Sequence, residues 1–138
     1  MTVFLRKALR ERVWRRAHRR CEYCQLPCDA SSIPSEIDHI ISQKHGGKTV
    51  ADNLALSCYF CNSFKGPNIA GIDPVSDEVV RLFRPRSDLW HEHFEWHGAV
   101  LIARTSIGRA TIAVMEINHP ASIEVREALI AEGNFPPI

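Results

Sequence analysis

Asp38-His39, Asn62 and Lys65, set between Cys21-x2-Cys24 and beside Cys58-x2-Cys61, are the residues of this 138-residue chain whose types and spacing could do chemistry. A histidine with an ordinary pKa of ~6.5 can take a proton from water near neutral pH, so His39 is the candidate general base. Asp38 offers a hard anionic oxygen to Mg²⁺ or Mn²⁺, and Asn62 offers a neutral amide oxygen to the same ion. Lys65 follows Asn62 by three residues and shares its helix face, which would place an ammonium near the ion and a phosphate oxygen. Activated water, charge neutralisation and help for a leaving oxygen are what phosphodiester hydrolysis requires. The plainer alternatives are a surface Asp-His pair in a binding module without the ion and an exposed lysine near a helix end.

The cysteines call for a different chemistry. Two Cys-x2-Cys knuckles are separated by 33 residues and leave Cys28 over. Four thiolates, Cys21, Cys24, Cys58 and Cys61, complete the tetrahedral shell of a structural zinc ion, which has no open position for catalysis. An odd cysteine count behind a basic N-terminus argues against a disulfide framework and for reduced thiols, so a cytoplasmic location is expected. Cys28 reads as a small hydrophobe or spare thiol. Four separate buried or redox thiols are the competing explanation. No run of apolar residues is long enough to predict a membrane span, and no apolar h-region predicts a secretory signal.

Charge is unevenly spread. The chain totals 17 Lys+Arg against 16 Asp+Glu, a net of +1 that by itself suggests no polyanionic partner. Residues 1–20, however, hold eight basic side chains and one acid, net +7, while residues 21–69 and 70–138 carry −2 and −4. A phosphate backbone meeting the N-terminal segment meets a concentrated positive field, with Arg12, Arg15, Arg16, Arg19 and Arg20 as its candidate contacts. A solvated amphipathic helix would show the same run. His45, on the glycine-bearing loop KHGG, could reach the same backbone, although an ordinary loop histidine is the simpler reading.

The elements that must position these groups follow from periodicity. Phe4, Leu5, Ala8, Leu9, Val13, Trp14 and Ala17 recur at helical steps among the arginines, predicting a helix over 3–18 with one apolar stripe. Glu36 to Ile41 is short, β-branched and bounded by turns, a predicted strand. Thr49-Val-Ala-Asp52 has capping-box form and predicts a short helical turn that contains Asn53. Cys61 to Lys65 opens a helix that Gly66-Pro67 stops. Beyond Pro67, a turn at 73–77 leads to a strand at 79–83. Alternation at Phe94 and Trp96 predicts another, with His91-x-His93 as a weak ligand-like pair. Residues 100–103 read as a strand, 107–117 as a helix broken by His119-Pro120, and 122–132 as the last helix. With 45% apolar and 24% charged residues, disordered and fibrous classes are excluded, and 138 residues fit a single domain.

CEYC, IDHIISQKHGG, DNLAL and CYFCNSFKG, within residues 21–66, resemble the HNH endonuclease family, in the four-cysteine form with asparagine at the last motif position. That resemblance implies an α+β fold in which a ββα-metal unit clasps one divalent ion and cuts nucleic-acid backbones. It carries Asp38 and Asn62 over as ion ligands and His39 as the base. It gives Asn53 a supporting role, pinning the loop through an amide that both donates and accepts. The C-terminal half resembles what small stand-alone members carry after the nuclease motif and reads as a packing platform. The expected protein is a zinc-stapled, Mg²⁺- or Mn²⁺-dependent endonuclease. DNA is its expected partner, and sequence preference is low because phosphate contacts position without specifying. The alternative is a zinc-stabilised nucleic-acid-binding module without activity; a redox or zinc-storage protein is a third.

One local conflict stands out. Neighbours on a regular strand point to opposite faces, so Asp38 and His39 can serve one site only where the strand ends or kinks.

Overall fold

The structure, a computed structural model, describes residues 5–137. Helix α1 (Lys7–Arg16) forms where the periodic stripe predicts it, and Phe4 of that stripe lies outside the described residues. Val13 and Ala17 are buried against Leu54 and Leu56, with Leu5, Leu9 and Trp14 packed around them. Burying each such leucine stabilises the fold by on the order of 2 kcal/mol. Arg15 and Arg16 fill the last helical turn, where cations suit the macrodipole. The chain then turns through two consecutive left-handed residues, His18 (φ 53°) and Arg19 (φ 56°), into the first knuckle.

Strands β1 (Glu36–His39) and β2 (Leu54–Ser57) pair antiparallel, with Asp38 opposite Ala55 and His39 opposite Leu54. All of β2 is buried, which suits a strand covered by α1 on one face and by the knuckles on the other. Between them, 3-10 turns at Gln43–His45 and Ala51–Asn53 flank the Gly46-Gly47 loop. The expected capping box does not form: Val50 precedes the second turn with no side-chain cap, and the Thr49 hydroxyl bonds elsewhere. Helix α2 (Tyr59–Lys65) follows at once and ends at Gly66, whose φ of 50° closes the turn.

The C-terminal half adds hairpin β3 (Ala70–Ile72) with β4 (Val79–Arg81), a short helix α3 (Trp90–His93), and hairpin β5 (Phe94–His97) with β6 (Val100–Ala103). Helices α4 (Ser106–Val114) and α5 (Pro120–Ala131) complete it. Gly71 is required by packing, since a Cβ there would lie 2.2 Å from the Val114 side chain. His119-Pro120 starts α5 rather than merely ending α4: His119 Nδ1 accepts from the Ala121 amide, and proline occupies the first turn, where its missing N–H costs nothing. One apolar core joins the halves, packing Cys21, Tyr23 and Ile40 with Phe83, Phe94, Leu101, Met115 and Ile117. The fold is α+β, with small antiparallel sheets around a four-cysteine cluster.

Candidate metal centre and nuclease site

The two knuckles reach the same point because β2 delivers the second beside the first. Cys21, Cys24, Cys58 and Cys61 are all buried, and their sulfur atoms lie within 4.8 Å of one another. Cys24 Sγ and Cys58 Sγ are 3.7 Å apart, about the edge of a tetrahedron built from four Zn–S bonds of ~2.3 Å. The Cys24 amide donates to Cys21 Sγ (3.5 Å) and the Cys61 amide to Cys58 Sγ (3.4 Å), so each knuckle supplies a donor to a sulfur that would be charged. The donor set fits zinc. Among the described residues it is the one group of three or more His, Cys, Asp or Glu side chains whose ligand atoms converge. Cys28 is half-buried and outside it, and His18 is exposed.

Strand β1 splits the Asp-His pair between its faces. Asp38 turns inward and is 6% exposed. Tyr23 Oη donates to its Oδ2 at 2.7 Å, and Lys65 Nζ, only 1% exposed, lies 3.2 and 3.0 Å from its two oxygens. The same ammonium donates to the carbonyls of His39 and Ile40. Burial pushes the Asp38 carboxyl up from its usual value, while Lys65 and Tyr23 pull it back. Burial and the adjacent carboxylate push the Tyr23 phenol well up, so it stays protonated and donates. Lys65 therefore differs from its expected place: its three donors face acceptors inside the protein, and none is left for a phosphate. Asp38, expected as an ion ligand, already has both oxygens occupied.

His39 occupies the end of the strand, half-buried. Its Nε2 lies 2.9 Å from Thr49 Oγ1, which leaves Nδ1 with no partner among the described residues. Burial lowers its pKa below 6.5; Asp38 opposes this and the Lys65 charge adds to it, so the ring is neutral at neutral pH. Asn53 fixes the loop that carries Thr49. Its Oδ1 accepts from the Ile41 amide, and its Nδ2 donates to the Ile41 and Lys48 carbonyls, each at 2.9 Å. Gly47 lies so close under this clasp that a Cβ would sit 1.6 Å from the Ile41 oxygen and 2.9 Å from Asn53 Nδ2.

Asn62 lies on the outer side of α2, half-buried, and its Nδ2 donates to Glu36 Oε2 at 3.3 Å. Glu36 precedes Asp38 by two residues, so alternation puts both on the α2 side of β1. The spacing of the motif does not single out Glu36, Tyr23 or Thr49, yet each touches a site residue. Strand periodicity marks Glu36, whereas nothing in the sequence marks the other two. His45 is exposed in its turn. His91 and His93 diverge: His91 is exposed, and His93 is buried with Nδ1 2.6 Å from Thr105 Oγ1.

The basic segment also divides. Arg12, Arg15 and Arg19 are exposed on α1 and the turn after it, with Arg19 stacked over Trp14 at 5.2 Å. Arg16 instead turns inward and donates to the Leu54 carbonyl at 2.8 Å, and Arg20 donates to the Gln25 carbonyl at 3.0 Å. These two brace β2 and the knuckle.

Residues 21–68 match the family model described as HNH endonuclease. This segment resembles an HNH domain. No curated protein and no solved structure matches the chain. The HNH domain spans both knuckles, the β1–β2 hairpin and α2, which together make the ββα-metal arrangement of that family. It points to nuclease or nucleic-acid-binding function. None of the helices in the described residues is long and apolar enough to cross a membrane.

Proposed function

We propose that the protein is a divalent-metal-dependent endonuclease that hydrolyses phosphodiester bonds, with DNA as its substrate and low sequence preference. The observation that carries this is His39 at the end of β1, with Nε2 tied to Thr49 and Nδ1 without a partner among the described residues, beside the loop clasped by Asn53. With Nε2–H donating to Thr49, Nδ1 holds the lone pair that takes a proton from the attacking water. Glu36 and Asn62 are the oxygen donors on the open end of the β1–α2 face. One carboxylate and one amide match what Mg²⁺ or Mn²⁺ takes from a protein when substrate phosphate completes the shell. A bound ion supplies charge neutralisation at the phosphate. Asp38 and Lys65 act in this reading as positioning residues, locking the strand end under His39, since ligation by Asp38 would require it to release the ammonium. Exposed Arg12, Arg15 and Arg19, with His45, grip the flanking backbone, and zinc staples the fold.

A second reading, a nucleic-acid-binding HNH domain without activity, is favoured by the occupied Asp38 carboxylate. Supercoiled plasmid incubated with Mg²⁺ or Mn²⁺ decides between them. Wild type nicks it and His39→Ala does not if the first holds. Binding without nicking across both ions supports the second, and equal nicking by both proteins removes His39 as the base.

A further inference from the structure

Arg126 on α5 is 2% exposed, and among the described residues its guanidinium has no carboxylate partner. Its Nε donates to the Ala99 carbonyl at 2.8 Å, and its Nη2 donates to the Ile117 carbonyl at 2.9 Å and to Asn118 Oδ1 at 3.4 Å. All three acceptors are neutral, and the plane stacks over Trp96 at 5.1 Å. Arginine cannot shed its charge in a protein, so a cation buried this deeply needs a counter-charge nearby.

The side chain lines a small cavity with Cys24, Cys58, Cys61, Met115 and Ile117. Four thiolates around one divalent ion carry a net charge of −2, enclosed here by apolar side chains and relieved only in part by the knuckle amides. A metal-thiolate centre needing positive charge and a guanidinium needing negative charge thus share one cavity wall, one from each half of the chain.

We propose that Arg126 is the counter-ion of the four-cysteine metal centre, and that metal occupancy thereby fastens α5 and the C-terminal half to the HNH domain. The proposal rests on those cysteines holding a divalent ion, and it gives the C-terminal half a role that packing alone does not. Without the ion nothing holds the four sulfur atoms together against the cavity wall that the guanidinium shares. Release of metal therefore loosens α5.

Two measurements on the full chain test this. Zinc affinity is read by competition with a chromogenic chelator for wild type, Arg126→Met and Arg126→Lys. Removal of a residue that supports metal ligands costs about 10- to 100-fold in affinity, so Arg126→Met should fall in that range and Arg126→Lys, which keeps the charge, should lose less. Equal affinity in all three overturns the proposal. Hydrogen exchange of wild type, followed during chelation, covers the case in which Arg126→Met does not fold. Residues 120–131 should lose protection as zinc leaves and before α1, which packs on β2 in a separate cluster, loses its own. Protection of α5 that persists after zinc has left overturns it as well. Protein that neither carries nor rebinds zinc removes the metal centre itself, a failure distinguishable from the others.

Discussion

Each half of the molecule buries an aspartate against a cation, and the two pairs are built differently. Asp73 is fully buried in the turn before β4 and takes a bidentate grip from Arg109 on α4, with both contacts at 2.8 Å. Ser76 and the Val75 amide complete its shell, and these bonds hold its carboxyl well below the usual carboxylate range. Asp38 sits under the HNH strand with a lysine that is itself buried, and there burial pushes its carboxyl up. A half-exposed arginine fork that joins a turn to a helix is a fastening. A lysine that also holds the carbonyls of His39 and Ile40 sets the position of the strand end that carries His39. The same pair of charges thus serves packing in one region and placement in the other.

The largest effect should come from the metal. Cys58→Ser, or stripping with a strong chelator, should abolish cooperative melting, because structural zinc contributes ~10–16 kcal/mol in small domains and total stability is only about 5–15 kcal/mol. A normal melting curve for Cys58→Ser would remove the staple from the comparison. His39→Ala should lower cleavage by ~10²–10⁴, the range for a lost general base, with only a small change in Tm from the lost Thr49 bond.

The pairs themselves come next. Lys65→Met leaves a buried carboxylate without its cation and should cost about 3–5 kcal/mol in denaturant unfolding. Lys65→Met with Asp38→Asn should recover most of that, and a double change no better than the single would show that Lys65 acts through the two carbonyls alone. Arg109→Met should lower Tm while sparing the cleavage rate per folded molecule. A matching loss of rate would erase the distinction between fastening and placement.

Smaller effects concern pH and salt. Because the folded-state pKa of His39 lies below its unfolded value, its contribution to stability is full above ~pH 6.5 and is lost as pH falls through the folded pKa. Cleavage should decline over the same acidic window as Nδ1 becomes protonated, and a rate that rises toward acid would contradict a base at His39. Arg15→Ala should reduce the salt slope of DNA binding by about 1 with little change in Tm, whereas Arg16→Ala, which braces Leu54, should lower Tm.

Much of the fold was legible because local patterns agreed with it. The stripe of α1, the strand at Asp38-His39 and the Gly66 stop are short-range signals that packing then confirmed. Thr49 was misread because its hydroxyl can cap a turn or bond a histidine, and only the folded loop brings His39 within 2.9 Å. The burial of Lys65 is hidden from the sequence for a related reason: helical spacing gives its face but not whether that face is covered. Arg16 and Arg20 share a charge run with Arg12, Arg15 and Arg19, and only the position of β2 and the knuckle separates them.

The sequence alone determined the chemistry that is local in the chain. Two knuckles of fixed spacing, an Asp-His step on a β-branched strand and an amide on the next helix follow from residue type and periodicity. Tertiary structure decided which charges meet. Strand alternation gave Asp38 to Tyr23 and Lys65 and left His39 to Thr49, and α5 brought Arg126 to the cysteines from about half the chain away. The physical reason is range. Periodicity reports which face a side chain takes, whereas burial and charge pairing depend on what the rest of the chain lays over that face.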